Sequence, residues 1–131
     1  MRTLAARRAA GGSFFARLPF THFVDVGQVR NERFAAAARA AGKPCVQVPV
    51  RGEPPGRDDA ERLAAVLPTR AEALVLVFGD SLDQVALLLG AHAYWIGGLG
   101  AGDATSTAVD LGATRGVAAF GRSLPAERPR R

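Results

Sequence analysis

The sequence predicts an α/β domain, a single three-layer unit with a mostly parallel sheet of about five strands and a basic arm at each end. Three observations lead there. Short β-prone runs alternate with helix-prone runs, and such alternation needs crossover connections and hence a parallel sheet. A length of 131 residues with 48% hydrophobic content suits one domain with a real core. Charge is segregated along the chain: residues 1–24 hold Arg2, Arg7, Arg8 and Arg17 with no acid, and residues 122–131 hold Arg122, Arg128, Arg130 and Arg131 against Glu127 alone. Between them, nine basic residues face eleven acidic ones.

The elements follow in order. Residues 1–20, "MRTLAARRAAGGSFFARLPF", are rich in Arg and Ala and free of acid, the composition of a mitochondrial transit peptide, and form the N-terminal arm. The domain proper is expected over 21–121 and a basic tail over 122–131. Strands are expected near 21–26 ("THFVDV"), 45–50 ("CVQVPV"), 73–78 ("ALVLVF"), 92–97 ("HAYWIG") and 117–120 ("VAAF"). Helices are expected near 29–41, 58–67, 82–90 and 104–114. The first is stopped by Gly42 and Pro44, and the second opens with Asp58 and Asp59 in its positive first turn and ends before Pro68. Tyr94 and Trp95 would then lie on opposite faces of one strand, and His22 and His92 would each begin one.

Several classes of protein are excluded early. No apolar run approaches the roughly 18 residues of a membrane span. The single cysteine, Cys45, allows no intrachain disulfide and no cysteine-cluster metal site, and reads as a small core residue. In a parallel sheet, ligands bind beyond the carboxyl ends of the strands. Asp25, Asp80 and the "GGLGAGD" turn all fall on that edge.

The stretch "VFGDSLDQV", residues 77–85, concentrates the chemical possibilities. Its Gly-Asp-Ser-Leu resembles the nucleophile block of the SGNH or GDSL esterases. That family also needs an Asp-x-x-His near the C-terminus, and here no histidine follows His92, so Ser81 lacks a general base. The turn Gly100-Ala101-Gly102-Asp103-Ala104 resembles the "GAGDA" loop of ribokinase-like sugar kinases, whose body is far longer than this chain. What it leaves is an expected anion site, for a phosphate of RNA, at Gly100 and Gly102.

A broader resemblance is to the NYN/PIN-like nucleases, over most of residues 22–111. "FVDVGQ" and "VLVFGDSLDQ" occupy the places of that family's first acid and its later acidic turn. The resemblance implies a Rossmann-like body in which Asp25, Asp80 and Asp83 hold Mg²⁺ or Mn²⁺ to activate water. The family's Asn after the first Asp is missing here, with Gln28 nearby, and a middle acid matches Asp58 or Asp59 only loosely. "FVDVGQVRNERFAAAARAAGKPCVQVPV" with "PGRDDAERLA" also resembles the C-terminal half of the second small-subunit ribosomal protein family. Backbone geometry alone accounts for the same acidic stretch: Gly79 turns the chain off a strand, Asp80 or Ser81 caps the next helix, and Asp83 sits in its first turn.

The resulting expectation is a non-catalytic subunit of a large mitochondrial assembly on the matrix side, with no cofactor, no bound metal and no small-molecule substrate. A mitochondrial ribosomal protein comes first, its eight arm arginines on rRNA and its body against neighbouring protein subunits. The alternatives are the metal-dependent ribonuclease and an accessory subunit of a respiratory complex or ATP synthase.

Overall fold

The computed structural model describes residues 3–8, 20–70 and 72–125, the first of these segments by its backbone only. Within them the chain runs β1 (Thr3–Arg8), β2 (His22–Asp25), α1 (Glu32–Ala40), β3 (Cys45–Gln47), α2 (Arg57–Val66), β4 (Leu74–Gly79), α3 (Leu82–Trp95), α4 (Ala101–Asp110) and α5 (Val117–Ser123). All strand pairings are parallel, in the order β1-β4-β2-β3. The body of the sheet is β4-β2-β3, with Phe23 beside Leu76 and Cys45, and Thr3–Arg8 joins its β4 edge with Thr3 beside Leu74.

Two hydrophobic layers flank the sheet, as strand alternation requires. On one face Phe23, Leu76 and Phe78 meet Phe34 and Ala38 of α1, with the Phe34 and Phe78 rings 4.3 Å apart. On the other, Val24, Val75 and Val77 meet Leu63 of α2 and Val85, Leu88 and Leu89 of α3. Burying each such side chain fully is worth about 1.5–3 kcal/mol. Helix α3 has no polar face over Val85–His92, because α4 and α5 pack on its far side through Ala104, Ala108 and Phe120.

Two of the five expected strands are helical. Residues 92–97 continue α3 and its C-terminal turn, and residues 117–120 open α5. "HAYWIG" is β-prone by composition, but it continues a helix buried all round over Val85–His92 and itself buries His92 and Tyr94, so packing overrides propensity there. Tyr94 is buried with its hydroxyl donating to the Pro125 carbonyl, and the Trp95 ring meets the Tyr94 ring edge-on at 4.9 Å. His92 is buried within α3 rather than opening a strand, whereas His22 does begin β2. Residues 3–8, expected within the N-terminal arm, are a sheet strand.

Candidate functional site

The strand order places a topological switch between β2 and β4. From β2 the chain crosses through α1 to β3 on one side, then returns through α2 to β4 on the other. Helix α1, which follows β2, and helix α3, which follows β4, pack on opposite faces of the sheet, so the chain leaves the two neighbouring strands in opposite directions. Asp25 closes β2 there, and Asp80 follows β4.

Asp25 is 3% exposed. Its Oδ1 accepts the Gly27 N–H at 3.0 Å and its Oδ2 the Asn31 N–H at 2.8 Å, so the carboxylate folds the 26–31 loop around itself. Asn31, held by that bond, caps α1 by accepting the Phe34 N–H at 3.0 Å. Asp80 is exposed, and its Oδ2 accepts the Gln28 N–H at 3.1 Å. The two acids face each other across Gly27. A Cβ there would lie 2.9 Å from Asp80 Oδ1 and 3.2 Å from Asp25 Oδ1, so any larger residue would push the exposed Asp80 carboxylate aside. Gln47 donates to the Gly27 carbonyl at 3.1 Å, and Gln28 to the Val50 carbonyl.

Asp83 points elsewhere. Its Oδ1 accepts the Thr114 N–H at 2.6 Å and the Arg115 N–H at 3.0 Å, tying the start of α3 to the loop before α5. Those two backbone bonds hold its pKa below the usual carboxylate value. The three acids of the nuclease expectation therefore split into a pair and a separate residue. Among the described residues, no three His, Cys, Asp or Glu side chains are placed to share a metal ion. The loosely matched middle acid divides too. Asp58 is exposed, whereas Asp59 is buried, accepts backbone N–H groups from Arg51, Gly52 and Gly56 at 2.9–3.1 Å, and pairs with Arg62.

Ser81 is the N-cap of α3, accepting the Gln84 N–H at 3.4 Å, the role that backbone geometry alone assigned to Asp80 or Ser81. Gly100 is the N-cap of α4 and Gly102 is exposed in its first turn, beside Asp103, whose charge opposes an anion at that end. Of the arm arginines, Arg122 is exposed on α5, and Arg7 and Arg8 lie in β1, in register with Phe78 and Gly79 at the carboxyl edge. Arg2, Arg17, Arg128, Arg130 and Arg131 lie outside the described residues.

Sequence reasoning missed Asn31 and Asp59 as organisers of this edge. Both carried a readable signal: an Asn directly before a helix-prone run, and an Asp three residues after Gly56 at a helix start. Fold and site together define an α/β protein with a parallel sheet and a carboxylate pair at its switch point. No family model, no curated protein and no solved structure matches the chain.

Proposed function

We propose that this chain is a non-catalytic subunit of a large mitochondrial assembly, with a Rossmann-like body and basic ends that contact RNA. The mitochondrial ribosome is the host proposed first, with the protein on the matrix side of the organelle. The observation that carries the reading is the segregation of charge, eight arginines against one acid in the two end segments and a slight acidic excess between them. Arginine suits the role because its planar fork pairs bidentately with phosphate and stacks on bases. The acids of the body support it from the other side. Asp25, Asp59 and Asp83 each spend a carboxylate on backbone N–H groups, which is structural work.

The test is native purification of the tagged protein from its own cells, sedimented before and after RNase. Co-migration with a ribosome-sized particle that RNase disrupts supports the proposal. An RNase-resistant membrane complex transfers it to a respiratory complex or ATP synthase, and a free small species removes it.

A metal-dependent ribonuclease is the second reading, and the facing of Asp25 and Asp80 at the switch point is the observation in its favour. Its test is manganese-dependent RNA cleavage by the purified chain. Activity that persists in Asp80→Ala comes from elsewhere and ends that reading.

A further inference from the structure

The acidic excess of the body is not spread evenly. Residues 51–121 carry five basic and nine acidic residues, whereas residues 30–43, which span α1 and its flanks, carry Arg30, Arg33, Arg39 and Lys43 against Glu32 alone. Pairing sharpens the contrast. In the acidic part, Arg57, Arg62 and Arg70 are each held in an ion pair with Glu61, Asp59 and Glu72, and Arg115 adjoins Asp83. On α1, Glu32 is taken by Arg30 at 3.9 Å, and Arg33 and Arg39 have no ion-pair partner among the described residues.

Helix geometry organises that charge. Phe34, Ala35 and Ala38 face the sheet, which leaves Arg33, Ala36, Arg39 and Ala40 exposed. At 3.6 residues per turn, Ala36 and Ala40 fall between the two arginines around the axis, and the arginines stand about 9 Å apart along it. A polyanionic strand laid over the alanines would thus find a guanidinium on each side, with no acid left unpaired beneath it.

We infer that the outer face of α1 is a second RNA-contacting surface, taking two phosphates of an RNA backbone through Arg33 and Arg39. The inference rests on the reading of this chain as an RNA-contacting subunit and extends it from the basic ends to the folded body. The surface is separate from the β1 end, because β1 and β3 are the outermost strands of the sheet, roughly 14 Å apart at the usual spacing. α1 is linked directly to β3 and packs on the sheet face opposite α2 and α3.

The test uses the full chain and a mixed-sequence RNA hairpin, with affinity measured over a range of salt concentrations. Each phosphate contact contributes about 0.7–0.9 to the slope of log affinity against log salt. Arg33→Ala with Arg39→Ala should therefore lower the slope by roughly 1.4–1.8 and weaken binding at least tenfold near physiological salt. Arg70→Ala, which removes an arginine already paired with Glu72, should leave the slope unchanged. Circular dichroism and thermal melting confirm that the variants are folded. If the parent chain binds no RNA, the RNA-contact reading itself fails. If the parent binds and the double variant keeps its slope, the inference about α1 fails while the reading stands. Unchanged RNA binding with loss of a protein partner from the native complex also overturns it, and makes α1 a protein-docking face.

Discussion

Replacing Asp25 by Asn separates a structural acid from a catalytic one. The side chain keeps its shape, but one of its two acceptor oxygens becomes an NH₂ directed at a backbone N–H. Asp25 is buried and accepts from Gly27 and Asn31. Hydrogen bonds to a charged group contribute about 1.5–3 kcal/mol, and a buried N–H left unsatisfied costs about 1–3 kcal/mol. Losing one such bond and weakening the other places the destabilisation near 3 kcal/mol, with fraying of α1 added where Asn31 loses its anchor. At about 4 °C per kcal/mol for a domain of this size, the melting temperature should fall by roughly 12 °C. Asp80→Asn is the control. Asp80 is exposed and accepts a backbone bond from Gln28, so its loss should cost about 0.5 kcal/mol or less. Urea and thermal unfolding of the two variants measure both numbers. An Asp25→Asn protein within 0.5 kcal/mol of the parent would refute the assignment, and the acid pair would then need a different explanation.

Gly90→Ala should destabilise despite the helix propensity it adds, because the new Cβ would stand 3.0 Å from the Ala104 carbonyl and 3.1 Å from Ala108 Cβ. Overpacking of about 1–3 kcal/mol outweighs the roughly 1 kcal/mol gained, and a melting curve above the parent's would contradict it. For pH, burial and Arg70 lower the His22 pKa from 6.5, so the unfolded chain takes up a proton more readily. Stability should fall as pH drops below 6.5 toward the folded value, and His22→Gln should flatten that slope. Asp83 acts at lower pH, its contribution complete above 3.8 and lost as pH falls through its depressed folded value, a loss that Asp83→Asn should abolish. Cys45, whose thiol is pushed up first by burial and then by Asp25 against the opposing pull of Arg30, should alkylate more slowly at pH 8 than a free thiol and accelerate on unfolding.

The parts of the fold written in local patterns were legible. "THFVDV", "CVQVPV" and "ALVLVF" became β2, β3 and β4 within a few residues, α2 lies within a residue of its expected bounds, and α1 stops before Gly42 as expected but starts three residues late, at its Asn31 cap. Helix α3 was cut short at residue 90 because a glycine followed by an aromatic-rich run reads as a turn and a strand. Gly90 is instead a packing glycine that lets α4 and Phe120 approach, a fact held in tertiary contact and invisible to periodicity. At the candidate site, Asp25 and Asp80 were found because strand ends are readable and the switch point gathers them. The departure of Asp83 was not readable, since its partners Thr114 and Arg115 lie more than thirty residues away.

The position of β1 bears on how the molecule is assembled. Among the described residues Thr3–Arg8 has its sheet neighbour in Leu74–Gly79, so this early segment must wait for a strand some seventy residues later before it can dock. Until Leu74–Gly79 has been made, Arg7 and Arg8 belong to a segment without its sheet partner. The same pairing covers the outer edge of β4, so removing residues 1–8 would expose that strand's N–H and C=O groups and invite a foreign strand in their place.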